Sequence, residues 1–247
     1  MATLTGLGSS AFTLFKMVEK QGSTAVERHS KDPAVTREVQ YFREKVGSLK
    51  SVDDIFSDYR MMSFVLKASN LEDEIPFPGR AKRALTERAD NTDALMNRLT
   101  DKRFKAAAEA LKFAETGLST LKNPETIEKL VSSYAKISYE KTLGLENIAV
   151  PKARYFQEKI GQVENYYDIL GDKILRDVVT TALNIPQELA FQEVETQAAA
   201  LEARIKLDDL KDPDTVAKFT QRYLIMMDQK NMETNGGGQS WLLNLFA

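Results

Sequence analysis

Cysteine is absent from the 247 residues, which excludes disulfides, thiolate catalysis and zinc sites built on thiolates. It leaves the compartment open. Histidine occurs once, as His29 in the polar stretch ERHSKD. A lone imidazole without cysteine cannot assemble a usual transition-metal site, so His29 is expected to face solvent. An excess of one charge is lacking too: 34 Lys and Arg stand against 36 Asp and Glu, interleaved along the chain. No basic stripe carries aromatics, so nucleic acid is not an expected partner. No apolar run approaches the ~20 residues of a membrane helix. The start MATLTGLGSSAFTLFK has neither the basic residues nor the unbroken apolar core of a cleaved secretory signal. What remains, 43% apolar and 28% charged residues, is the composition of a soluble globular chain.

Catalytic signatures are equally scarce. Gly236-Gly237-Gly238 has no Lys-Ser/Thr after it and no strand before it, so the phosphate-loop pattern fails, and no dinucleotide fingerprint, zinc-protease motif or nucleophile elbow occurs. The acid pairs Asp53-Asp54 and Asp208-Asp209 could act as general acid and base. Each lies just ahead of a helix cap, however, where the helix dipole alone favours acids. No catalytic residue, metal ligand or cofactor is assigned, and the chain is expected not to be an enzyme.

The strongest feature present is an internal similarity. YFREKVGSLKSVDDIFSDYRMMSFVLKASNL (41–71) and YFQEKIGQVENYYDILGDKILRDVVTTALNI (155–185) align without a gap at an offset of 114, with eleven of 31 positions identical. Self-similarity at a fixed offset governs architecture before local propensity does. Five segments share one grammar: an apolar residue, then two places on an Asp or Asn, then apolar residues at helical spacing. The polar residues are Asp58, Asp101, Asn123, Asp172 and Asp212. Each is read as an N-cap, whose side chain accepts the free N–H groups of the first helical turn. Pro124 and Pro213 follow their caps directly, where the missing N–H costs no bond.

The rest reads the same way. Phe12, Phe15 and Val18 allow a short amphipathic helix, broken by Gln21-Gly22-Ser23-Thr24. Asp32-Pro33 opens another, continued by Val35, Val39, Phe42 and Val46. RAKRALTERA and ETQAAALEARI fit helices. IPFPG (75–79) is the one emphatic breaker and suggests an extended loop. The repeated aromatics Tyr41, Phe42, Tyr155 and Phe156 are expected in the core. No alternation is long enough for a strand, so the fold is expected to be all-α and multihelical, two sequence-related helical repeats with no sheet of significance.

The expected organisation is an N-terminal extension (1–40), helical repeat one (41–134), a connecting helix or linker (135–154), helical repeat two (155–230) and a glycine-rich tail (231–247). LKNPET and LKDPDT recur at an offset of 89, so repeat one carries extra helical chain around 92–116 or the grammar is nested within each copy. The tail ends in Trp241, Leu242, Leu243, Leu245 and Phe246. After a glycine linker, these five could fold back on their own body or dock in a partner's groove. Both readings stand, as does a homo-oligomer.

YFREKVGSLKSVDDIFSDYRMMSFVLKA, LTDKRFKAAAEALKFA, YFQEKIG, ILGDKILRDVVTTALNIP and LKDPDTVAKFTQRYL resemble the signature segments of the bacterial family called domain of unknown function 1217. The resemblance implies an all-helical protein with an internal duplication, often encoded beside flagellar genes. It transfers no catalytic residue. The expectation is a non-enzymatic, flagellum-associated structural or accessory protein that works through contacts with other proteins, flagellar components being the candidates. The alternatives are a cytosolic flagellar export chaperone or regulator, or an enzyme without a recognisable motif. The expected location is the bacterial cytoplasm or the flagellar basal body.

Overall fold

A computed structural model describes residues 10–234, and among these the regular structure is helical throughout, with no strand. The tail residues Trp241, Leu242, Leu243, Leu245 and Phe246 lie outside the described residues. The chain divides into two units, one spanning Gln21–Lys141 and the other joining the segment from Thr142 to the N-terminal segment up to Lys20.

Helix α1 (Ala11–Gln21) stops at Gly22, whose φ of 54° few other residues adopt at no cost. Helices α2 (Ser23–Ser30), α3 (Pro33–Val46), α4 (Val52–Ser57) and α5 (Tyr59–Ala68) follow. Asp32 accepts the Ala34 N–H at 2.8 Å, and Pro33 occupies the first helical position. Then come α6 (Pro78–Thr86), α7 (Leu95–Arg98), α8 (Lys102–Leu111), α9 (Phe113–Thr116) and α10 (Pro124–Glu146).

The core of the Gln21–Lys141 unit is a stack of rings. Phe64 lies between Phe42 and Tyr134, with centroids 4.2 and 4.3 Å away and planes within 12°. Ile55, Leu66, Leu71, Leu85 and Leu121 are fully buried around it. Each large side chain taken from water contributes roughly 1.5–3 kcal/mol. Arg103, at the start of α8, ties this half together. It donates to the Asn70 carbonyl (2.8 Å), to Asp73 (2.8 Å) and to Asp101 (2.6 Å).

Two expectations change here. IPFPG is only half a loop, because α6 begins at Pro78, where proline's missing N–H is harmless. The turn before it is held by buried Glu74, which accepts two bonds from Arg80 (2.7 and 2.8 Å). The Arg80 guanidinium in turn lies 4.6 Å from the Phe77 ring centroid. His29 is not a solvent-facing residue either: its ring packs 5.8 Å from Tyr139 and its Nε2 is buried without a hydrogen-bond partner.

In the second unit α11 (Ala149–Lys159) is followed by α12 (Tyr166–Gly171), α13 (Lys173–Ala182), α14 (Val194–Glu202) and α15 (Pro213–Thr234). Short 3-10 turns at Ile160–Gln162, Gln187–Phe191 and Asp208–Lys211 separate them. Helices α11, α13 and α15 pack against one another, burying Phe156, Val178, Val179, Tyr223 and Leu224. Helix α1 belongs to this unit and buries Leu14, Phe15 and Val18. The Asp228 carboxylate on α15 accepts the free N–H groups of Ala11 (2.6 Å) and Phe12 (3.3 Å), capping α1 from a distant part of the chain.

Candidate functional site

The residues singled out by pattern all sit at helix starts. Asp58 accepts the N–H groups of Arg60 (3.0 Å) and Met61 (3.1 Å), and Asp172 those of Ile174 (2.8 Å) and Leu175 (2.9 Å). Asp101 accepts from Arg103 N (2.9 Å), Asn123 from Glu125 N (2.8 Å) and Asp212 from Thr215 N (2.8 Å). Ahead of Asp58 and Asp172 lies a second cap. Ser51 with Asp54, and Asn165 with Asp168, form capping boxes at equivalent places.

The tyrosines expected in the core do something more specific. Tyr41 and Tyr155 are only half-buried, while their neighbours Phe42 and Phe156 are fully enclosed. The Tyr41 hydroxyl donates to Asp58 Oδ2, and the Tyr155 hydroxyl to Asp172 Oδ2 at 2.6 Å. Each aspartate thus caps a helix with one oxygen and with the other ties it to the helix two before it, α5 to α3 and α13 to α11. A constant spacing of 17 residues from Tyr to Asp in both copies was the available signal.

Electrostatics agree with a scaffolding role. Burial pushes the Asp58 carboxyl up, yet the Tyr41 hydroxyl and the two N–H donors outweigh it and leave its pKa below the ordinary carboxylate value. The same bond raises the Tyr41 phenol. Three of the four acids offered for catalysis, Asp53, Asp54 and Asp208, are engaged too. Asp54 is held low by the N–H groups of Lys50 and Ser51, Asp53 pairs with Lys82 (2.8 Å) and Asp208 with Lys211 (3.0 Å). Desolvation lowers the amine of Lys67, which lies 4.9 Å over the Tyr134 ring. Burial, with Glu38 and Glu72 nearby, pushes the Tyr134 phenol up to about 12. Among the described residues no three His, Cys, Asp or Glu side chains are placed to share a metal ion. None of the described helices is long and apolar enough to cross a membrane.

Some large apolar side chains are also left at the surface. Leu145, in the last turn of α10, and Ile148, just before α11, are exposed. Ile148 and Pro151 both lie 3.6 Å from where a Cβ on Gly144 would stand, so these three residues gather at the elbow between α10 and α11. The turn before α14 exposes Phe191 and Val194.

Fold and caps together define an all-helical protein whose polar pattern is spent on helix starts. The profile of the family described as protein of unknown function (DUF1217) matches residues 68–216, and the chain belongs to that family. It is similar to a structural-genomics X-ray structure of a protein from Agrobacterium tumefaciens, with 31% sequence identity and a TM-score of 0.77, over 94% of this chain and 100% of that one. No curated protein matches the chain.

Proposed function

We propose that this is a non-enzymatic, flagellum-associated structural or accessory protein that acts through contacts with other proteins. The observation that carries the reading is the apolar surface left at the elbow between α10 and α11, where Leu145 is 83% and Ile148 53% exposed within three residues of each other. Contiguous exposed apolar surface marks interaction sites, whereas isolated apolar side chains do not. The engagement of Asp53, Asp54, Asp58 and Asp172 in caps and ion pairs supports it from the other side, since these acids are already committed to holding helices. The flagellar setting is supported by the resemblance to a family often encoded beside flagellar genes.

Deleting the gene from its own bacterium tests the reading. Swimming is expected to be impaired, with the tagged protein recovered in purified basal bodies. Normal swimming and normal filaments would sink it. Recovery in the cytosol alone, with impaired swimming, would favour an export chaperone instead.

A further inference from the structure

A second apolar surface carries its own chemistry. Residues 186–203 hold four of the 36 acids, Glu188, Glu193, Glu195 and Glu202, and none of the 34 Lys and Arg nor the histidine, in a chain that elsewhere interleaves the two signs. All four are exposed, and none has an ion-pair partner among the described residues. The first base along the chain, Arg204, is turned back onto the Ala200 carbonyl (2.8 Å). In the middle of this acidic stretch stands Phe191, 91% exposed, with Val194 exposed three residues on and Leu189 half-buried beside it.

The backbone presenting Phe191 is fixed on both sides. Leu189 N–H donates to Pro186 O (3.1 Å) and Gln192 N–H to Leu189 O (3.0 Å). The Gln197 side chain reaches back from α14 to donate to Gln192 O (2.8 Å) and Ala190 O (3.4 Å). Helix α14 buries Ala198 and Leu201, and the Phe191 ring is left 91% exposed on an ordered turn. A rigid aromatic anchor loses little freedom on docking, and aromatics are enriched among the residues that dominate binding.

Charge decides the occupant. Two copies meeting face to face through this surface would bring their unpaired glutamates together, because a twofold contact sets the same patch against itself. An apolar segment flanked by Lys or Arg would instead be drawn in by them. We propose that Leu189, Phe191 and Val194, rimmed by Glu188, Glu193 and Glu195, dock a basic amphipathic segment of a partner protein. This rests on the reading that the protein works through protein contacts, and it adds where one contact lies and what it selects.

The test uses the full chain and two short synthetic amphipathic helices, one of leucine and lysine and one of leucine and glutamate, followed by fluorescence anisotropy. The lysine helix is expected to bind, more weakly as salt rises, and the glutamate helix not to bind. Phe191→Ser should weaken binding about tenfold or more. Glu193→Gln with Glu195→Gln should weaken it several-fold and flatten the salt dependence, and Glu109→Gln, an exposed acid on α8, should leave it unchanged. Both ends of the comparison are checked for unchanged melting by circular dichroism. Equal binding by Phe191→Ser, binding of both helices alike, or no binding would overturn the proposal. So would light scattering that shows a wild-type dimer and a Phe191→Ser monomer, since the occupant would then be a second copy. If the helix assay fails while gene deletion still impairs swimming, this surface is wrong and the broader reading survives. Tight helix binding with normal swimming gives the converse.

Discussion

The stretch 41–71 and the stretch 155–185 share a hydrogen-bond plan and a set of buried residues, among them Phe42 and Phe156, and differ in part of what packs around them. In both, a tyrosine hydroxyl reaches the aspartate that caps the third helix, and a capping box starts the second. Both end on an asparagine in the left-handed region, Asn70 (φ 59°) and Asn184 (φ 52°). There the next N–H returns at 2.8 Å to a carbonyl five residues back, Leu71 to Leu66 and Ile185 to Thr180. The packing diverges. Phe64 sits mid-stack between two rings, where the second copy has Val178. Arg60 pairs with Glu38 (3.0 Å) and stacks 3.9 Å over Tyr41, whereas the second copy has Ile174 and Lys152 there, and Lys152 bonds Asp177 (2.6 Å). Helix ends need particular donors and acceptors at particular distances, so they tolerate few residue types. Apolar space can be filled in several ways provided total volume is kept.

That difference can be broken at the packing first. Phe64→Ala, which empties the middle of the ring stack, is expected to cost about 3–5 kcal/mol, against roughly 2 kcal/mol for Val178→Ala at the matching position. Urea unfolding followed by circular dichroism gives both numbers, and equal costs would deny the asymmetry. Arg103→Met probes a device of the Gln21–Lys141 unit. Losing its bonds to Asn70, Asp73 and Asp101 should cost roughly 2–3 kcal/mol, and thermal melts would register it.

The shared plan predicts equal effects. Asp58→Ala and Asp172→Ala should each cost about 1–2 kcal/mol, and Tyr41→Phe and Tyr155→Phe each about 1 kcal/mol. Costs that differ widely between copies would mean that the bonds are not equivalent. Acid adds a second axis. The folded pKa of Asp58 lies below its unfolded value, so the unfolded chain binds the proton more readily. Its contribution is therefore complete above the unfolded value of about 3.9 and is lost as pH falls through the lower folded value. Asp58→Asn should show a shallower loss of stability between pH 5 and about pH 2 than the wild type.

The smallest effect is the most pointed. Ser63 and Asp177 occupy matching positions, but the Ser63 hydroxyl is buried without a partner while Asp177 is paired with Lys152. Ser63→Ala is expected to be neutral or to stabilise by up to about 1 kcal/mol, and Asp177→Ser to destabilise by about 1 kcal/mol. A clear loss from Ser63→Ala in urea titrations would show that its hydroxyl has a partner after all.

Helix starts were legible because an N-cap is local chemistry: Asp or Asn two places after an apolar residue reports a bond closed within three residues. Contacts across the chain were less so. Tyr41 and Tyr155 looked like core aromatics because periodicity reports the ring's burial and says nothing of where a hydroxyl points. His29 looked solvated from the polar residues beside it, yet Tyr139, far along the chain, covers its ring. Nothing in the sequence around Ala11 announced that its N–H would meet Asp228.

By itself, then, the sequence determined the helical class and the places where helices begin, because both rest on interactions within a few residues. Only the tertiary structure decided which carboxylates were already engaged and which apolar side chains were left in water, Leu145 and Phe191 above all. Exposure and partnership depend on what the rest of the chain brings alongside, and a one-dimensional pattern carries no record of that.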